Sequence, residues 1–296
     1  MPRASIADRA DQAGGVPEGH TIHRQVVDQA PLLVGRTISV SSPGGRWAHV
    51  AAAVDGRVLR TLEAHGKHLF YVFDHRRVLH VHLGLAGRLR HHGPAAGPTR
   101  PDPPRRDTAL RLETPELTVD LSTPRTCEVI DAVTQRRVIA RLGPDPIAAD
   151  DDRDLAGRLA TYRGPVGTAL LDQAVIAGIG NVYRAEILFL CGIHPERPAG
   201  SLSHSECDVL WATTSRLLRA GVDDGGRIIT VDRREAAADR RPTYVYGRRR
   251  CVRCGSVIRR WDVGGRTAWA CESCQPAWTG PGWTGPAPTG SAELSP

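Results

Sequence analysis

Four cysteines in two close pairs carry the plainest chemistry in this chain. Cys251-x2-Cys254 and Cys271-x2-Cys274 stand sixteen residues apart. Two such knuckles at that distance can close a tetrahedral zinc site, each supplying two thiolates from a tight turn. The second candidate is a lone residue. Lysine and arginine together number 39, yet Lys67 is the one lysine. An Arg-, Ala-, Gly- and Pro-rich chain of this kind suggests a GC-rich coding sequence. A lysine kept against that drift points to a titratable amine, which guanidinium cannot supply; chance survival is the bland alternative. Third comes Gly178-Ile179-Gly180-Asn181, ahead of a helix expected to begin near Val182. Asn181 suits an N-cap, the glycines let another backbone come close, and free amides at a helix start can seat a phosphate. The same residues also serve simple capping. Last, VPEGHTIHR (residues 16–24) sets a proline, a glutamate, a glycine and two histidines at the head of a domain, behind residues without pattern.

The elements that must position these groups follow from periodicity. Thr21 to Ala30 has helical spacing, with Ile22, Val26, Val27 and Ala30 on one side. RTISVSS, VLRTLEAHG, KHLFYVFD, RVLHVHLG, TALRLET and ELTVDLS read as strands, with a Pro/Gly/Arg loop over residues 91–107. LGPDPI (142–147) breaks the pattern and marks a domain boundary. From Asp150 the pattern turns helical: DLAGRLATYR, VGTALLDQAV, NVYRAEILFLCGI and SECDVLWATTSRLLRAGV. Between the cysteine knuckles, SVIRRWDV and RTAWAC form a hairpin around Gly264-Gly265. The last twenty residues, with a near-repeat of WTGP, are expected to be disordered. The plan is α+β and multidomain. It comprises a β-rich, β-sandwich-like domain with flanking helices (17–143), a helical domain (150–240), a zinc hairpin (241–276) and a tail (277–296).

Formal charge is +7 and the pI about 9.3, which suggests an anionic partner. The basicity is local: Arg240 to Cys274 holds nine arginines against Asp262 and Glu272. A zinc-stapled hairpin bearing arginines suits a nucleic-acid backbone, and Arg266, at the start of its second strand, could reach a phosphate. Arg253 and Arg259 read as solvated charges. No run of eighteen apolar residues argues for a membrane span, and MPRASIADRADQAGGV lacks the apolar core of a secretory signal. A cytosolic setting is expected, and there paired cysteines mean metal rather than disulfides. Cys127, Cys191 and Cys207 look like ordinary buried small residues.

PEGHTIHR, AGIGNVYRAEILFLCGIHP and YVYGRRRCVRC…RTAWACESC, in that order, resemble the Fpg/Nei DNA glycosylases across residues 17 to about 276. The PEGH start is similar to the bacterial endonuclease VIII branch. The resemblance implies a helix-two-turn-helix DNA-binding domain and one structural Zn2+ on Cys251, Cys254, Cys271 and Cys274. It implies a base-excision repair enzyme, a monomer acting on damaged double-stranded DNA in the bacterial cytoplasm and nucleoid, with no membrane role. Oxidised bases, pyrimidines favoured, would leave through an N-terminal proline Schiff base, followed by β,δ-elimination. Pro17 matches the nucleophile, Glu18 the carboxylate acting at the sugar ring oxygen, and Lys67 the phosphate-contacting lysine of a β-hairpin. Asn181, Gly180 and Arg266 match the phosphate grip, and Leu85 the residue that fills the void left by a flipped nucleotide. His20 and His23 either line the site or pack a helix face.

One feature departs from the family pattern. Pro17 is internal here, and an internal proline is a tertiary amide without a basic lone pair. Either residues 1–16 are a misassigned start, with Val16 a GTG initiator, or the extension is real. In the second case Pro17 is a helix-entry proline, and the protein binds damaged DNA, or RNA, without catalysis.

Overall fold

A computed structural model describes residues 16–93, 103–148, 154–231 and 242–280. The extension up to residue 15, most of the 91–107 loop, the end of the helical domain from 232 and the tail beyond 280 lie outside the described residues. The chain divides into two compact units. One is Met1–Asp150 with Leu218–Ile228, the other Asp151–Leu217 with Ile229–Pro296.

The first unit begins with α1 (Gly19–Leu33), three residues longer at the C-terminal end than the periodicity predicts and two longer at the start. Its eight strands form one antiparallel ladder in the order β5-β7-β6-β1-β2-β3-β4-β8. These are β1 (Thr37–Ser41), β2 (Arg57–His65), β3 (His68–Phe73), β4 (Val78–His82), β5 (Arg88–His92), β6 (Thr108–Glu113), β7 (Thr118–Ser122) and β8 (Thr126–Ile130). β1 belongs to both halves. Thr37 and Ile38 pair with β2, whereas Ser39 to Ser41 pair with β6. Leu59, Leu69, Tyr71 and Leu79 from one half and Leu110, Leu112, Val119 and Leu121 from the other share a single core with Ile22 and Leu33 of α1. This is the sandwich-like arrangement the alternation predicts.

Four elements escaped the periodicity: α2 (Ala48–Val54), β5, β8 and α3 (Ala132–Ile139). α2 is seven residues of nearly pure alanine and valine, too short to show a helical period. β5 reaches His92, inside the expected loop; of its two buried positions, Leu89 and His91, only Leu89 is apolar, so no apolar alternation shows.

The second unit contains α4 (Leu155–Thr161), α5 (Val166–Ala169), α6 (Asn181–Leu190) and α7 (His204–Asp223), whose residues from Leu218 count with the first unit. Its hairpin is β9 (Arg259–Asp262) and β10 (Thr267–Ala270). The helix expected over residues 166–175 stops at Ala169. Side chains explain the stop: Asp172 accepts from the Ala174 N–H, while Gln173 accepts from the Gly178 N–H and donates to the Ile179 carbonyl. Such local bonds compete with helical ones. Among the described residues, no helix is long and apolar enough to cross a membrane.

Candidate active site and metal centre

Pro17 is half-buried and precedes Glu18, the N-cap of α1, which is fully buried. Glu18 is extended (φ −121°), and its carbonyl accepts from the Thr21 N–H at 3.0 Å. The residue therefore stands at the positive end of a fifteen-residue helix, and its side chain makes no cap bond to that helix. The two histidines that follow differ in their partners. His20 is buried with Nε2 bonded to the Gly226 carbonyl at 3.0 Å, and burial drives its pKa down to about 4, so it is neutral packing. His23 instead donates from Nε2 to Asp145 Oδ2 at 2.7 Å.

Asp145 is the residue that sequence reasoning missed. It is 1% exposed and accepts from three donors: His23 on α1, Gly66 N at 2.7 Å and Ile147 N at 2.9 Å. Burial pushes its carboxyl up, but those three donors outweigh burial and hold the pKa below the ordinary value. One carboxylate thus ties the helix led by Pro17 to the turn carrying Lys67. Gly66 and Lys67 form the two-residue turn between β2 and β3, and Gly66 takes φ +57°, which a side chain would resist. His65 adds a bond from Nε2 to the Gly143 carbonyl at 3.1 Å. The signal was present in LGPDPI. A residue before proline is held extended, so Pro144-Asp145-Pro146 presents a carboxyl rigidly.

Leu85 is 65% exposed, in the turn between β4 and β5. Gly87 closes that turn: a Cβ there would lie 2.3 Å from the Leu83 carbonyl oxygen.

In the second unit, Gly180 rather than Asn181 is the N-cap of α6, with φ −119° and no side-chain cap. Asn181 is the first helical residue, and its amide donates to the Thr267 carbonyl at 3.1 Å instead of closing its own helix. Arg184 does more. Its guanidinium, 1% exposed, donates to the carbonyls of Thr267 (2.8 Å), Val263 (3.2 Å), Arg266 (3.3 Å) and Gly167 (3.4 Å). Arg266 is exposed on the turn that Asn181 and Arg184 hold down by its backbone. Glu186, also on α6, accepts from the Tyr244, Val245 and Tyr246 amides at 2.6, 2.9 and 2.9 Å and from the Thr230 hydroxyl. Burial raises its pKa, and the four donors restrain the rise. One helix therefore anchors both the approach to the knuckles and the hairpin tip. Arg184→Met is expected to remove a donor from four backbone carbonyls, the bonds to Gly167 and Val263 being fully buried, and to lower stability by about 3 kcal/mol, read as a fall in melting temperature.

The four knuckle sulfurs lie within 4.8 Å of one another. Cys254 Sγ is 3.4 Å from Cys271 and 3.5 Å from Cys274, and Cys251 Sγ is 3.9 Å from Cys274. Zn–S bonds of about 2.3 Å in a tetrahedron require S–S separations of roughly 3.8 Å. The set therefore fits a four-thiolate metal, and all four cysteines are free of disulfides. Such an ion would be structural, since no coordination position is left for substrate.

Comparison with known proteins agrees with this architecture. The family model for the formamidopyrimidine-DNA glycosylase N-terminal domain matches residues 16–130. The model for the formamidopyrimidine-DNA glycosylase H2TH domain matches residues 142–233. Endonuclease 8 1 of Mycobacterium tuberculosis (strain ATCC 25618 / H37Rv) is 40% identical over 268 residues, covering 88% of this chain and 100% of that protein. The formamidopyrimidine-DNA glycosylase of Thermomicrobium roseum is 32% identical over 294 residues, covering 88% and 98%. Among solved structures, Lactococcus lactis Fpg in complex with DNA containing an abasic site aligns with a TM-score of 0.73. That alignment has 23% identity and covers 88% of this chain and 100% of that one, so it is a likeness of fold.

Proposed function

This chain belongs to the Fpg/Nei family and is a DNA glycosylase of base-excision repair, and from that premise we propose that it is bifunctional, nicking damaged duplex DNA through Pro17. The observation that carries the reading is the Asp145 carboxylate, bonded at once to the helix led by Pro17 and Glu18 and to the turn that presents Lys67. The nitrogen of Pro17, as a free N-terminus, attacks C1′ of a flipped nucleotide. The C1′–base bond breaks and an iminium forms. An α-amino group titrates near pKa ~8, so a useful neutral fraction exists at physiological pH. Glu18 transfers a proton at the sugar ring oxygen. The iminium acidifies C2′, and loss of that proton expels the 3′ phosphate; loss of the C4′ proton from the conjugated iminium then expels the 5′ phosphate.

Lys67, Asn181 and Arg266 take up phosphates, Gly180 lets the strand come close, and exposed Leu85 fills the vacated stack. Zinc on Cys251, Cys254, Cys271 and Cys274 keeps Arg266 in place. The division of labour runs over residues 17–143 for chemistry, 150–240 and 241–276 for duplex grip. Oxidised pyrimidines are the preferred lesions, and the protein works as a cytoplasmic monomer on the bacterial nucleoid. The reading requires initiation at Val16 and removal of the initiator. The N-terminal family match beginning at residue 16 supports that start.

Borohydride reduction on an abasic-site duplex tests the proposal, with protein made from the native gene and its own start region. A covalent adduct on N-terminal Pro17 is the expected result. Retained lesion binding without an adduct, on a chain still carrying residues ahead of Pro17, would make the protein a non-catalytic binder.

A further inference from the structure

The turn joining β3 to β4 departs from the residues its geometry favours. Phe73 N–H donates to the Arg77 carbonyl at 2.8 Å and Arg77 N–H to the Asp74 carbonyl at 3.3 Å, so Asp74 to Arg77 closes a tight turn. Its two central residues, His75 and Arg76, take φ +51° and +60°. Positive φ at both central positions belongs to the type I′ hairpin turn, where Asn-Gly is the preferred pair. Histidine and arginine carry a Cβ into the left-handed region, which strains the backbone. Among the described residues, Thr123 is the one other non-glycine residue with positive φ. Strain of this kind is typically retained at binding and catalytic sites.

The strained turn borders an open cavity of about 500 Å³ in the first unit. His75, Arg76 and Arg77 line one side; Val129 and Ile130 of β8, with Asp131 and Thr134 at the start of α3, line the other. The three basic residues are exposed, and neither arginine has an ion-pair partner among the described residues. The two acids nearby are engaged. Asp131 caps α3, its Oδ1 accepting from the Thr134 N–H at 2.7 Å. Asp74 Oδ2 accepts from the Val58 N–H at 3.4 Å, and its Oδ1 faces Arg57 at 3.7 Å. Lys67 stands just ahead of β3 and this turn just beyond it, so the six residues of the strand hold them roughly 20 Å apart. The cavity is therefore remote from the lysine of the lesion site.

We propose that this cavity is a phosphate-binding site that takes a nucleoside phosphate. A guanidinium presents a planar pair of donors that matches phosphate oxygens. Two guanidiniums beside an imidazole suit a group with two or more negative charges better than a single carboxylate. Val129 and Ile130, each half-buried, offer an apolar wall for the sugar or base. The volume falls within the roughly 300–1,000 Å³ of small-ligand sites. Such a phosphate has two sources, a free nucleotide or the backbone of a bound DNA strand.

His75→Asn combined with Arg76→Gly tests the site, because the pair supplies the residues the turn prefers and so keeps the fold. Calorimetric titration of the full chain with ADP and with inorganic pyrophosphate is the readout. The wild type is expected to bind both, and the double variant to bind each on the order of 10- to 100-fold more weakly. Its melting temperature should rise as the strain is released. Arg77→Gln, outside the strained pair, should weaken ADP about tenfold. Arg266→Gln should bind ADP like the wild type, which separates this cavity from the grip on DNA. Affinity for undamaged duplex decides the source. Left unchanged by the double variant, it assigns a free nucleotide; lowered, with ADP ignored by the wild type, it assigns a strand phosphate. The proposal is overturned if double variant and wild type match in both ADP and duplex binding, or if ADP binding is lost in Arg266→Gln alone. A hexaglutamate peptide bound as tightly as pyrophosphate overturns it too.

Discussion

Replacing one metal ligand, as in Cys271→Ser, is expected to cost the protein its metal and its grip on duplex DNA together. Cys271 is fully buried, and its backbone carbonyl accepts from the Cys274 and Gln275 amides. The cysteine segment has little else to hold it. Its core is small, built by Cys251, Ile258 and Cys271 against Ala185, Phe189, Tyr244 and Val245. Structural zinc contributes apparent binding energies of about 10–16 kcal/mol in zinc-finger peptides at neutral pH, far more than so small a core can supply. Elemental analysis should find one zinc per wild-type chain and none in Cys271→Ser. Duplex affinity should fall at least about 100-fold as Arg266 loses its platform. A variant that keeps full duplex affinity without zinc would remove the hairpin from the binding surface.

The second large effect is expected at Asp145. Asparagine there offers one oxygen to three donors and turns an amide N–H toward one of them. A buried donor facing a donor, with a charge-assisted bond lost, costs about 2–4 kcal/mol. For a chain of this size that is a fall of roughly 5–15 °C in melting temperature. The pH dependence has a definite sign. The carboxyl of Asp145 is depressed in the folded state, so its contribution is complete above the ordinary carboxylate range and is lost as pH falls through the folded value. The wild type should therefore lose more stability than Asp145→Asn between neutrality and acid. Catalysis should suffer too, because the turn of Lys67 and the helix led by Pro17 lose their common anchor. A drop in kcat of about 100-fold with a small change in KM is expected. A variant with lowered melting temperature and intact kcat would reduce Asp145 to a structural role.

Local and compositional features were legible in the residues alone. CxxC spacing is covalent chemistry on a short arc, so the four candidate ligands were legible before any fold was known. Alternation in KHLFYVF and VLHVHL placed β3 and β4, and the helical period from Asp150 placed α4, α6 and α7, because one face of each is buried against a core. Lys67 stood out by composition alone. The residues that tertiary structure decided act across long separations. Asp145 meets Gly66, 79 positions away, and His23, 122 positions away. Arg184 bonds carbonyls around 80 positions on, and Glu186 reaches amides about 60 on. No period or motif encodes such pairs, since backbone donors and carbonyls are the same at every residue. Asn181 shows the difference most simply: its local preference is an N-cap, but the hairpin carbonyl of Thr267 claims its amide, and Gly180 takes the cap instead. The line of Glu128, His80 and His68 across β8, β4 and β3 was equally closed to the sequence, because it depends on strand register.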